Sequence, residues 1–361
     1  MLLGDGSARF MSENIDYITY CLTSFIKDGR VKVELAVALV GTSVASAAAN
    51  FTWTAKGAVP KIGQEGSADA ISCPSATLCV VGGGNGVAVT TSIQAKAKTW
   101  KYARIGEVDP SLGQAYITDV KCPVPGLCVA VDDHSNAYVS PNPTGGVQAW
   151  LPGPLPSGTY VGIEALSCPS PTLCAALDVA GNGLTTASPG GSWTTTQVTP
   201  QLNVDLYELG CAETLCVGVE SDSNVYVTAD PASQPATWTA TSIGANSLST
   251  VACASAKLCI AAESFKGALY VSTNPAGGKA AWKKITIKGL SGVDHLRCPS
   301  ASLCLATSNT SVWWSTTPTK ASSWKQSTLP GAKVILSDVS CPTPRLCAAI
   351  DVGGKVWVGS R

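Results

Sequence analysis

The sequence predicts an all-β chain folded as a seven-bladed β-propeller with four-stranded blades. Three observations predict it. A cysteine-led motif recurs seven times, with leading cysteines 42 to 49 residues apart. Each recurrence carries strand-like runs separated by turn residues. One tryptophan-led run that the last repeat lacks stands instead at the other end of the array. Four short strands at a period near the mid-forties is the signature of a propeller blade.

Each repeat opens on a strand-like run ending at its first cysteine, as in "AYITDVKC" and "GVDHLRC". The leading cysteines are Cys73, Cys122, Cys168, Cys211, Cys253, Cys298 and Cys341. Proline follows five of them. It donates no ladder hydrogen bond and suits a turn, so the first strand ends there. A second run follows the second cysteine ("CVAVD", "CAALD", "CIAAE"), then a Gly/Asn/Asp/Ser turn, then a third run ("NAYVS", "NVYVT", "ALYVS", "KVWVG"). A Pro/Gly-rich connection leads to a tryptophan that opens the fourth run, as in "TWKYARI", "TWTATSI" and "AWKKITI". β-Branched and aromatic runs bounded by turn residues are the strand signal.

The seventh repeat ends at Arg361 without such a tryptophan. "NFTWTAK", with Trp53, supplies it from the N-terminal side. The strand around Trp53 is therefore expected to pair with the last blade and close the ring, which removes an open seam.

Six copies read C-x5-C, and the fourth is one residue shorter. Residues flanking so short a hairpin loop face one another within disulfide reach. The expected bridges are Cys73–Cys79, Cys122–Cys128, Cys168–Cys174, Cys211–Cys216, Cys253–Cys259, Cys298–Cys304 and Cys341–Cys347. Zinc would need four convergent ligands, and each pair is isolated in its own blade. No metal and no cofactor is expected. Fourteen paired cysteines point to an oxidising compartment.

The N-terminal region agrees with export. Lys27, Arg30 and Lys32 precede the apolar run "LAVALVGTSVASA", and Ala45-Ser46-Ala47 fits a cleavage site. The run is too short to span a bilayer comfortably. The expected organisation is an extended n-region or mis-assigned start over 1–30, a signal peptide over 31–47 with the natural start near Val31, and the propeller over 48–361. The mature chain is expected to be secreted or on the cell surface, monomeric and without a stable membrane span. Cys21 falls outside the pairing scheme.

Net charge is zero and charged residues make up 13%. With no basic stripe, nucleic acid is not an expected partner. "GGGNG" at Gly82 to Gly86 lies between two strands and opens no helix, so it reads as a blade turn. Tyr138, Tyr226, Tyr270, Trp313 and Trp357 take matching places on third strands and read as core. Trp314 replaces the valine or threonine of other repeats and faces the opposite side of its strand, which leaves exposure open. His134, in the turn "DDHSN", is expected in solvent.

The connections "SPNPTGGVQAW", "TADPASQPATW", "STNPAGGKAAW" and, shortened, "ASPGGSW" resemble a degenerate Asp-box, the S-x-D-x-G-x-x-W hairpin of sialidase-like and photosystem-assembly-factor-like propellers. The resemblance covers residues 51–361 at the level of blade pattern. It implies the propeller fold, with Asn142, Asp230 and Asn274 capping the turn and the tryptophan packed into the blade. It does not carry sialidase activity over. Those enzymes need three convergent arginines, and this propeller has Arg104, Arg297, Arg345 and Arg361. Arg104 falls on an outer strand and Arg345 in a stapled turn, so convergence is not expected, and fold does not imply function.

Aligning the repeats on the leading cysteine exposes a candidate site. The residue two before it is always apolar. The residue three before it is Ala70, Asp119, Ala165, Glu208, Thr250, His295 or Asp338. Packing alone does not ask for three acids and a histidine at one level of an innermost strand. Asp119, Glu208, His295 and Asp338 are the candidate ligand-binding residues, converging on the axis. One carboxyl of such a cluster is expected to titrate high. The cluster suits a cation or a polyhydroxylated sugar. The expected function is a binding or scaffold module for a glycan, a surface protein or a small ligand. The alternative is an axial glycoside hydrolase or lyase, with these acids as proton donor and base. No catalytic residue is assigned.

Overall fold

The computed structural model describes residues 50–361 apart from 63–65, 111, 154, 157–161, 200–205 and 234. The segments expected over 1–30 and 31–47, with Cys21, lie outside the described residues. Among the described residues seven four-stranded antiparallel sheets follow one another along the chain, with one small two-stranded ribbon. Their innermost strands are Ala68–Ser75, Ile117–Val124, Ile163–Ser170, Leu206–Ala212, Leu248–Ser255, His295–Ser300 and Leu336–Thr343. These strands open blades 1 to 7 in that order. Each packs on the innermost strand of the next blade, and Leu336–Thr343 returns to Ala68–Ser75. The ring is closed.

The closure works as the tryptophan count predicts. Strand Thr52–Ala58 pairs antiparallel with Lys355–Ser360, with Thr52 opposite Ser360, and becomes the outer strand of blade 7. Trp53 is buried there.

All seven expected disulfides are present, with Cα–Cα distances of 4.0 to 4.1 Å. The spacing difference among the copies has a direct structural meaning. Each C-x5-C hairpin carries a register shift beside its first cysteine, for example between Ser72 and Ser75 or Cys253 and Ser255. The shorter fourth copy pairs Cys211 with Cys216 with no shift there. The extra residue is accommodated as a bulge.

Each blade is covered on both faces by its neighbours. Middle strands such as Leu78–Gly83 and Leu173–Asp178 are therefore buried at every position. This settles the place of Trp314, which is 1% exposed. It meets Phe51 edge-on at 5.4 Å and donates its indole N–H to Ser327 Oγ at 3.2 Å. A strand between two blades has no wet side, so alternation along it does not predict exposure. Tyr138, Tyr226, Tyr270, Trp313 and Trp357 are core.

The turns correct two expectations. Asn142, Asp230 and Asn274 enter their turns through the backbone, and Asn142 Oδ1 accepts from Thr144 Oγ1 at 2.9 Å rather than from a backbone amide. Their backbone N–H groups donate to hydroxyls two residues earlier: Ser140 at 3.3 Å, Thr228 at 3.4 Å and Ser272 at 3.2 Å. Thr90, Thr186 and Ser315 do the same in their own blades. A hydroxyl at a strand end reaches the amide two residues on and makes an ST-turn. Trp193, Trp282 and Trp324 close the same turns by donating to the carbonyls of Pro189, Pro275 and Pro318. His134 is not in free solvent either, with its side chain 13% exposed. Its turn folds over buried Asp132, whose Oδ1 accepts from the amides of His134 at 3.0 Å and Asn136 at 2.7 Å. Asp178 and Asp351 hold their turns the same way.

No helix among the described residues is long and apolar enough to cross a membrane. Seven disulfides are the mark of an oxidising environment.

Candidate functional site

The site is built by the innermost strands and by one recurring irregularity. In six blades the ladder shifts register between the residues five and three before the leading cysteine. A bulged residue leaves the ladder and its side chain is re-aimed. The residue inside each shift, four before the cysteine, lines the wider mouth of the axis. These are Asp69, Thr118, Glu164, Tyr207, Ser249 and Ser337, with Asp294 at the same place in blade 6.

One step deeper lies an ionic layer. It brings together the four residues singled out from the sequence. Arg297 Nη1 lies 3.2 Å from Glu208 Oε2, and its Nε lies 3.0 Å from Asp338 Oδ1. His295 Nδ1 stands 3.5 Å from the same Glu208 oxygen. Asp119 pairs with Lys121. Asp119, Glu208 and Asp338 are all buried.

Two of the acids are also committed to backbone. Asp119 Oδ2 accepts from the amide of Leu166 in blade 3 at 3.0 Å, and Asp338 Oδ2 accepts from Ile71 in blade 1 at 3.1 Å. Thr250 makes the equivalent bond to Leu296 at 3.0 Å. Two residues further along, Ser72, Ser167 and Ser340 accept from the amides of Cys122, Cys211 and Cys73. Side chains on these innermost strands therefore stitch neighbouring blades together across seams where no sheet is continuous.

The electrostatics follow from this layout. Burial raises the pKa of Asp119, and Glu208 nearby adds to the rise against Lys121 and Arg297. Burial also opposes ionisation of Glu208, yet Arg297, followed by His295 and Lys121, outweighs it and holds the carboxyl down to about 2. Arg297 is itself raised, because Asp338, Glu208 and Asp119 overcome its desolvation.

Arg297 and Lys121 are the residues that sequence reasoning missed. Weighing the arginines only as a convergent triad gives Arg297 no place of its own, and it lies in the axial layer. The signal lay one residue before the cysteine, where Ser72, Ser167, Gly210, Ala252 and Ser340 are small and Lys121 and Arg297 are not. A cation at that place sits one strand period from the acid position and faces the same side.

Two cavities flank the ionic layer. The narrower, of about 220 Å³, lies on the disulfide side and is lined by Lys121, Arg297 and several of the cysteines. The wider, of about 760 Å³, lies where the innermost strands begin, and His295 lines it. Tyr116, Tyr207, Phe265, Ile335 and Val352 line that mouth and are all exposed. Phe265 is 83% exposed. Its loop is clamped, since Ser264 N–H donates to Ser247 at 3.0 Å and Val293 N–H to Glu263 at 3.2 Å. Tyr116 exchanges two bonds with Asp133, at 2.7 and 3.0 Å.

Chemically, the ionic layer sets its three acids against Arg297, Lys121 and His295, and the wide mouth is an apolar rim around acidic walls. Among the described residues no group of three or more His, Cys, Asp or Glu is arranged to hold a metal ion.

No protein-family model matches the chain, and no curated protein matches it. Solved structures do. A structure of YCF48 bound to D1 peptide superposes with a TM-score of 0.66 at 12% identity, covering 87% of this chain and 98% of that one. YCF48 from Cyanidioschyzon merolae superposes with a TM-score of 0.61 at 11% identity, covering 85% and 98%. By fold, the chain is a seven-bladed β-propeller similar to that of YCF48.

Proposed function

We propose that this protein is a secreted or cell-surface binding module that receives a segment of another protein at the wide axial mouth. The observation that carries the reading is the rim. Five large apolar side chains stand exposed around one cavity, and Phe265 is held out on a clamped loop. Contiguous exposed apolar surface marks interaction sites, and aromatic side chains dominate binding energy at them. A propeller of the same fold has been solved with a peptide bound. The stapled, closed ring suits a rigid platform, and the predicted leader with seven disulfides suits export.

A hydrolytic reading fits less well. Glu208 and Asp338 are buried and engaged by Arg297. Asp119 and Asp338 also accept backbone amides. A general acid or base must reach the substrate atom it serves.

The test is a randomised peptide library and a glycan array screened in parallel against the purified protein. Peptides are expected to be captured, and Phe265→Ser with Tyr207→Ser to weaken their binding by about tenfold or more, as for loss of aromatic anchors. Capture of glycans alone, or full affinity in the double variant, would sink the reading.

A further inference from the structure

We propose that the wide mouth reads a basic side chain, so that the bound segment inserts a lysine or arginine between apolar neighbours. This rests on the peptide-binding reading above and adds the chemistry of what is bound. The bulges of blades 1 and 3 turn Asp69 and Glu164 into the cavity wall, and Asp294 joins them from blade 6. Among the described residues that line the cavity, none is a lysine or an arginine. Lys266 and Lys333 stand next in sequence to Phe265 and Val334 but do not line it.

Two of these acids are pre-set. Asp69 accepts from Ser67 Oγ at 2.5 Å, and Asp294 accepts from the amide of Asn309 at 2.7 Å. One such bond fixes a carboxylate while leaving it capacity, since a carboxylate has roughly four acceptor sites. An independent feature points the same way. Ser337, 6% exposed, lines the cavity, and its hydroxyl is buried with no hydrogen-bond partner. Buried polar groups are nearly always paired, and this hydroxyl, left without a protein partner beside the carboxylates, can take one from a group that enters the cavity. Carboxylates with a spare hydroxyl match an ammonium or guanidinium, which only donates. The rim of Phe265, Tyr207 and Tyr116 offers apolar and π surface to the cation's alkyl stem and to flanking residues. An acidic segment would meet three carboxylates and no lysine or arginine in the lining.

The experiment uses the peptides enriched from the randomised library on the purified protein. Their consensus is expected to hold Lys or Arg at one fixed position, with binding that weakens as salt rises. Replacing that residue by Gln, or making the Asp69→Asn, Glu164→Gln, Asp294→Asn triple variant, is expected to cut affinity about tenfold. The melting temperature should stay near wild type, because the amides keep an acceptor for Ser67 and Asn309. Should the triple variant misfold, Asp294→Asn alone is expected to shift affinity in the same direction. Enriched peptides with no basic residue, or undiminished binding by Asp294→Asn and by the triple variant, overturn this inference and leave the binding module standing. Absence of any peptide binding would instead remove the module reading on which it rests.

Discussion

Removing Arg297 would leave Glu208 and Asp338 buried with no guanidinium to pair them. Breaking a buried ion pair by deleting one partner costs about 3–5 kcal/mol, so Arg297→Met should lower the stability of the ring by an amount in that range, measured by denaturant unfolding. The acid limb of the stability profile gives a second check. Glu208 has its folded pKa depressed from 4.5 to about 2. Its contribution is therefore complete above about 4.5 and is lost as pH falls through about 2. Glu208→Gln should flatten that part of the curve. Asp119, whose pKa is raised, acts with the opposite sign: it disfavours the fold where it is ionised, and protonation relieves this as pH falls. The four residues at the acid level were legible because polar groups broke an apolar periodicity. Arg297 was not, because two cations among seven otherwise small residues form no pattern until the acids they face are placed. Trp314 was left open because strand alternation presumes a wet side that a blade between two others lacks.

At the scale of the element, the cysteine hairpin is the unit. Each bridge closes a loop of five or six residues. Replacing Cys211 and Cys216 together by serine should cost about 2 kcal/mol from loop entropy. Disulfide mapping by mass spectrometry should recover seven bridges within repeats, and a dominant bridge between repeats would contradict the blades. The turn after the third strand offers another measurement. Thr186 Oγ1 is buried, accepts from Ser188 N–H at 3.0 Å and lies 2.9 Å from Ser192 O. Thr186→Val should cost about 1–3 kcal/mol by stranding those groups. Four strands per repeat could be read from the runs and their turn residues. The cap could not be placed, because the Asp-box template draws the eye to the acidic position. The work is done by the hydroxyl two residues earlier, a residue type too common on strands to stand out.

At the scale of the molecule, stability depends on the seam in blade 7. A Cβ on Gly359 would come within 2.8 Å of the Trp53 ring. Gly359→Val should therefore push the closing strand away and destabilise the ring by about 1–3 kcal/mol, as overpacking does. Deleting residues 50–58 should cost more, because it also exposes the edge of Lys355–Ser360. A melting temperature unchanged by either alteration would mean that the N-terminal strand is not structural. The closure was legible because tryptophans and cysteine pairs fell out of step by one. The wide mouth was not. Asp69, Thr118, Glu164, Tyr207, Ser249, Asp294 and Ser337 share a place in the repeat, but acids, hydroxyls and a ring are mixed there, and a bulge that swings a side chain to the axis leaves no mark in residue type.

The shortness of the bridged loops bears on how the chain matures. Fourteen thiols released together into an oxidising compartment could pair wrongly in very many ways. Here every correct partner is five or six residues away. Short-range encounter is far faster than encounter between distant repeats. Each hairpin can oxidise while the rest of the chain is still emerging, before any blade has met its neighbour. Thiol chemistry is thereby separated in time from ring assembly, which still has to bring Thr52–Ala58 to Lys355–Ser360 across the whole propeller sequence.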